Sequence, residues 1–276
     1  MRIARSVTLP YLLLVAAHGY LLSADFAPEG PPAAAMLPAA RAFLASLDAP
    51  GRARAALPFD SDARLSFTYL PGPRAGLSLK EMTNGQRDAA LALLHASLSQ
   101  KGFETAETIR RLEDVLREIE GSAARDPERY FVAVFGEPSE SGVWGWRWEG
   151  HHLSLNWTLV AGTRIASAPQ FLGANPADVR TGAMKGTRAL AGEEDLARAL
   201  VTSLDTAQRG LAILASRAPG EIVTGSERKA AIRGDRGIGW SRLNEEQRGL
   251  LLALIGEFAS VQPPAIAAGR LEQVRR

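Results

Sequence analysis

The sequence predicts an α+β fold: a small antiparallel sheet centred on a Trp-rich hairpin and covered by several amphipathic helices. Residues 143–160 run in the two-residue alternation of half-buried strands and hold four of the five tryptophans. Residues 83–98 and 106–120 instead repeat apolar side chains at the spacing that gives a helix one apolar face. The chain has 276 residues, 46% hydrophobic and 22% charged, enough to bury one sizeable core.

In chain order, the first element is an export segment. Arg2 and Arg5 form a positive start and Val7 to Ala17 an apolar stretch, the layout of a secretory signal over residues 1–24. Pro10, His18 and Gly19 interrupt it, and its apolar run is shorter than the roughly 20 residues a spanning helix needs, so an N-terminal anchor is the alternative. Residues 25–36, with Pro28, Pro31 and Pro32, read as a linker to a single globular domain over 37–276. Within it, Pro38 suits a first helical position, and Ala39 to Leu47 form a short helix ended by Asp48, Pro50 and Gly51. A strand, Leu65 to Leu70, follows.

Thr83 with Gln86 three residues on makes a capping box for a helix that keeps its apolar stripe to Gly102. The next runs from about Ala106, with Ile109, Leu112, Val115, Leu116 and Ile119 on one face, to Gly121. Tyr130 to Phe135 is a strand, and Val143 to Val160 a hairpin turning at Glu149-Gly150. Helical stretches cover Glu193 to Arg217, with a break at Asp205, and Asn244 to about Ala259. The blocks Met82 to Arg87 and Leu243 to Arg248 resemble one another, each preceded at the same offset by Gly76 or Gly237, and Leu204 to Arg209 is a third copy. Two readings stand: a duplicated site, or three capping boxes placed wherever a helix begins.

Thirty-two basic residues oppose 30 acidic ones, a formal charge of +2, so no single-sign field draws the chain to nucleic acid or to an anionic membrane. With no cysteine, disulfides, thiolate catalysis and cysteine metal sites are excluded, and stability outside the cytoplasm has to come from packing. There is no serine nucleophile elbow, phosphate-binding loop, dinucleotide fingerprint or zinc helix.

Chemistry concentrates between Trp144 and Trp157. His151 and His152 are the candidate general base or ligands to a divalent metal, with Glu149, Arg147 and Asn156 positioning a small-molecule substrate. Neighbours on a strand point to opposite faces, so the two histidines share a metal only through a turn or bulge. The competing account makes His151 a hydrogen-bonded core histidine and His152 an exposed hairpin residue. Trp144, Trp146 and Trp148 fall on one strand face, either a stacking platform for a sugar or aromatic ligand or a core packed on helices. Hydrolytic or metal-assisted catalysis and non-catalytic ligand binding are therefore both open.

Gly76-Leu77, Met82-Thr83, Gln86-Arg87, Arg125-Asp126-Pro127, Tyr130, Phe135 to Ser139, Trp144-Gly145-Trp146-Arg147, Gly150 to Asn156, and Pro169 with Phe171 to Pro176 together resemble the bacterial family called domain of unknown function 3500. The resemblance runs from about Leu65 to Ala259. It implies export and no settled activity. It also implies a strand-rich tail beyond the last helix, ending in a His-x-His element with acidic residues, which this sequence does not contain. If the family site joins the hairpin histidines to that tail, the further expectation is a truncated or inactive member.

Overall fold

The computed structural model describes residues 32–227 and 236–276 and has the expected α+β architecture. The export segment and the start of the linker lie outside the described residues. Helix α1 (Pro32–Ser46) begins earlier than expected and takes Pro38 into its interior, because Ala33, Met36 and Leu37 have a core to bury against. Asp48 caps the short α2 (Ala49–Ala55), accepting a hydrogen bond from Gly51 N–H. The capping box at Thr83 starts α3 (Asn84–Ser97) as the sequence predicts. Its successor α4 (Gln100–Glu120) starts earlier than expected, because Ser99 caps it. Gly102 lies inside α4, where an added Cβ would fall 2.1 Å from the Val261 carbonyl oxygen.

The sheet is mixed. Its centre is the antiparallel meander β3 (Phe131–Phe135), β4 (Val143–Gly150) and β5 (Leu153–Val160), with β6 (Arg164–Ala166) and β7 (Gln170–Leu172) pairing with β5. The edge of β3 away from β4 is shared by two short pieces from earlier in the chain. β1 (Ala56–Leu57) runs parallel to Val134–Phe135, and β2 (Leu77–Ser78) antiparallel to Phe131–Val132.

Trp144, Trp146 and Trp148 share one sheet face with Leu159, Trp157 and Leu155, their partners across the β4–β5 register. All are buried against α1, α3 and the start of α4. Trp146 and Trp157 stack with centroids 4.2 Å apart. Burial of these four indoles supplies much of the apolar area that holds the helices to the sheet.

The expected strand at Leu65–Leu70 does not form. A 3₁₀ turn (Asp62–Leu65) leads into an extended segment that crosses the other sheet face. Its backbone is satisfied by side chains: Arg147 donates to Ser66 O, and Thr68 N–H donates to Glu149 Oε1.

The chain continues with α5 (Ala191–Ser203), α6 (Thr206–Ala212), α7 (Glu245–Ala259) and α8 (Pro264–Arg275), the last not foreseen in the sequence. The break at Asp205 is real: Asp205 caps α6. The related blocks at 82–87, 204–209 and 243–248 all form capping boxes, and within a larger repeat 82–87 corresponds to 243–248 while 204–209 corresponds to 47–52. Ser46-Leu47-Asp48 ends α1 and caps α2 as Ser203-Leu204-Asp205 ends α5 and caps α6. A 3₁₀ turn then precedes α3 (Leu79–Glu81) and α7 (Trp240–Arg242). Gln86 donates to Ser46 O and Gln247 to Ser203 O, while Arg87 donates to Leu79 O and Arg248 to Trp240 O. The structure therefore contains one helical unit twice, with α1 on α3 and α5 on α7.

Gly102 marks where the two units touch. Gly102→Ala should cost roughly 1–3 kcal/mol by overpacking against the Val261 carbonyl, whereas Gly249→Ala, in open space on α7, should gain up to about 1 kcal/mol. Urea unfolding of both variants checks the contrast, and equal effects would contradict the packing assigned to Gly102.

Candidate functional site

The hairpin turns two residues later than expected, at His151-His152, because the register pairs Glu149 with Ser154 and Gly150 with Leu153. Gly150 is required for packing: a Cβ there would lie 2.4 Å from the Tyr130 ring. The Tyr130 hydroxyl donates to His151 O at 2.6 Å. His152 takes the left-handed conformation, φ 58°, its N–H donating to Tyr69 O and its carbonyl accepting from Gly173 N–H. The turn backbone is thus fixed from three directions.

His151 is buried, and its Nδ1 lies 2.5 Å from Oε1 of Glu113, a carboxylate on the buried stripe of α4. Arg125 approaches the same imidazole, 3.3 Å from Nδ1 and 3.5 Å from Nε2, and is itself held by two bonds to Glu120. A carboxylate only accepts, so Nδ1–H is assigned to Glu113, while the Arg125 nitrogen lies almost equally far from both ring nitrogens and is not aligned on the Nε2 lone pair. The His152 ring stacks on His151 with centroids 3.9 Å apart. Burial, then the neighbouring His151, push the His152 pKa down to about 4, against an opposing pull from Glu113 and with a further lowering from Arg125.

These donors do not converge on a cation. Imidazole lone pairs lie in the ring plane, and two rings stacked with 30° between planes aim theirs past one another. Glu113 already occupies Nδ1, and a guanidinium sits beside it. Among the described residues no group of three or more His, Asp or Glu has metal-binding geometry.

The other expected site residues lie elsewhere. Arg147 and Glu149 are buried under the crossing segment, where Glu149 Oε2 lies between Arg74 Nε at 3.4 Å and Arg147 Nε at 3.5 Å. Ser154 donates to Glu149 Oε1 at 2.8 Å, and Asn156 donates to Ser154 Oγ and Pro169 O. Burial lowers the pKa of both arginines, with Glu149 opposing it. These groups hold chain segments together and, the register having moved the turn, do not join His151 and His152 in one pocket. The rings of Trp144, Trp146 and Trp148 are core, which corrects the expectation of an exposed stacking platform.

A cavity of about 600 Å³ does open on this second face, lined by Phe67, Phe135, Asn156, Gln170 and Phe171 among others. Tyr69 and Phe171 stack beside it, and Gln170 Nε2 is buried without a partner among the described residues.

Glu113 and Arg125 escaped the sequence reading. The signal for Glu113 was a carboxylate four residues after Ile109 on a stripe otherwise apolar, where a buried charge requires a partner.

The profile of a family described as "Protein of unknown function (DUF3500)" matches residues 29–276. No curated protein and no solved structure matches the chain.

Two outcomes follow from this geometry. Glu149→Ala leaves two buried guanidinium groups without their anion and should cost about 3–5 kcal/mol in urea unfolding; a loss below about 1 kcal/mol would show that the ion pairs do not hold the crossing segment. For His152, the unfolded chain binds a proton near pH 6.5 and the folded chain only near 4. Its contribution is present above pH 6.5 and lost as pH falls toward 4. His152→Asn keeps a residue that tolerates the left-handed backbone and should flatten the fall in stability between those values. A variant with the wild-type slope would contradict the assignment.

Proposed function

The chain belongs to the DUF3500 family, and from that starting point we propose, on the site's own chemistry, that it is a hydrolytic enzyme with Glu113 and His151 as an acid–base dyad. One observation carries the reading: a buried carboxylate bonded to Nδ1 of an imidazole whose Nε2 is left free of any carboxylate among the described residues. Glu113 orients the ring and stabilises its protonated form; Nε2 takes a proton from water as that water attacks. Arg125, beside the ring, meets negative charge on the substrate or developing at the attacked centre. Neutral His152 stacks against the ring and limits its rotation.

The same proposal places the protein outside the cytoplasm, processed or anchored at residues 1–24. Arg2, Arg5 and the apolar stretch after them support this, and the chain has no cysteine to be oxidised there. No helix among the described residues is long and apolar enough to cross a membrane. A second reading, a non-catalytic ligand-binding module, draws support from the Phe67–Phe171 cavity and from Gln170 Nε2, buried without a partner among the described residues.

The test is turnover of a panel of anionic chromogenic carboxyl and phosphate esters by the purified protein. His151→Ala should lower kcat by about 100-fold or more and Glu113→Gln by less, with the wild-type Tm checked in each. No turnover by the wild type, or wild-type rates in His151→Ala, would overturn the dyad; ligand binding in the cavity without turnover would select the second reading.

A further inference from the structure

We infer that the cavity on the second sheet face is a binding site for a neutral aromatic ring that carries an O–H donor, in the simplest case a phenol. The inference rests on the ligand-binding reading of this cavity and does not depend on turnover at the dyad.

The strand register makes the space. Phe135, Gly145, Thr158 and Ala166 lie side by side across β3, β4, β5 and β6, so this row of the sheet presents a phenyl ring, then no side chain, then two small ones. Gly145 cannot be replaced by a larger residue without moving the backbone, since a Cβ there would fall 2.5 Å from Trp157 O. The neighbouring row carries Arg147, whose bond to Ser66 O holds the crossing segment above the sheet as a roof. Phe171 pairs with Ser154 and therefore shares this face; its ring meets Phe67 edge to face with centroids 6.2 Å apart and closes one side. The resulting volume of about 600 Å³ falls within the roughly 300–1,000 Å³ of small-molecule sites.

Charge and hydrogen bonding narrow the occupant. Among the lining residues only Arg64 and Glu227 are charged, one of each sign. Arg64 is held against Phe59, donating to its carbonyl at 2.8 Å with the guanidinium 4.2 Å from the ring centroid. The lining therefore has no net charge to select an ion. On the floor, Asn156 and Thr158 are two residues apart on β5, so they share a face, and both are half-buried. Asn156 donates its amide hydrogens to Ser154 Oγ and Pro169 O, which leaves Oδ1 as an acceptor with no partner among the described residues. The Thr158 hydroxyl has none among them either. One acceptor and one hydroxyl beneath the rings of Phe67, Phe135 and Phe171 match a single O–H on an aromatic ring. A sugar would set several hydroxyls against phenyl walls that cannot pair them, and a purely apolar ring would leave Asn156 Oδ1 unpaired.

The probes are naphthol, methylnaphthalene of the same shape without the donor, anionic naphthoate and methyl glucoside, each titrated into the full chain by calorimetry. Naphthol should bind one-to-one and about tenfold or more tighter than methylnaphthalene. Thr158→Val, which removes only the hydroxyl, should weaken naphthol about three- to tenfold and leave methylnaphthalene unchanged. Phe67→Ala should weaken both, and thermal unfolding checks that each variant is folded; if Phe67→Ala is not, Thr158→Val carries the test. Methylnaphthalene bound as tightly as naphthol, or naphthol bound equally by Thr158→Val, overturns the inference. Tighter binding of naphthoate or the glucoside that Phe67→Ala weakens overturns the ligand class while keeping the cavity as a ligand site. No binding of any of the four overturns the ligand-binding reading together with the inference.

Discussion

Strand β3 has both of its edges in use, and the arrangement of the first unit depends on that. One edge takes β4 and through it the tryptophan face; the other takes β1 and β2, which arrive from either side of the 58–76 connection. Docking β3 therefore orders the helical unit and the meander together. It sets the sheet face that α1 and α3 cover, brings the crossing segment over the opposite face, and fixes Tyr130 under the hairpin turn. The Arg74–Glu149–Arg147 cluster follows from this. A segment crossing a sheet without pairing needs partners for its peptide groups, and the buried side chains below provide them.

The candidate site derives from the same constraint. His151 meets Glu113 because the turn sits on Tyr130 at the end of β3 and α4 presents its one buried carboxylate there. Arg125 reaches the imidazole from the loop between α4 and β3, held by Glu120 on the last turn of α4. Three chain segments thus converge on one ring. A charge network of this kind also ties the hairpin to the helix, so the dyad has a structural role whether or not it turns over a substrate.

The sequence was most legible where local chemistry decides the outcome. The boxes at Thr83, Asp205 and Asn244, the alternation through Trp144, Trp146 and Trp148, and the break before α6 each depend on a few adjacent residues. It was least legible where a distant partner decides. Leu65–Leu70 alternates like a strand, but Arg147 and Glu149 take its backbone bonds. Gly150 looks like a turn glycine, but the Tyr130 ring is what excludes a side chain there. Glu149 and Arg147 looked catalytic because charged residues on a strand are conspicuous, whereas Glu113, hidden in a helical stripe, meets the histidine. The repeat was visible as three similar blocks; recognising that Leu204–Arg209 matches Leu47–Arg52, and not the other two, required the helix pairing.

The order of synthesis gives the repeat a kinetic meaning. Ala56 pairs with Val134, and α3 and all of α4 lie between them in the chain. As the polypeptide leaves the ribosome, α1, α2 and α3 emerge before Phe131–Phe135 exists, so β1 and β2 wait as an unmade edge beside a helix pair with its apolar face open. Among the described residues the second unit displays that same arrangement, with no strand paired to Ile213–Leu214 or Ile238–Gly239, and so pictures what the nascent first unit has to protect until β3 arrives.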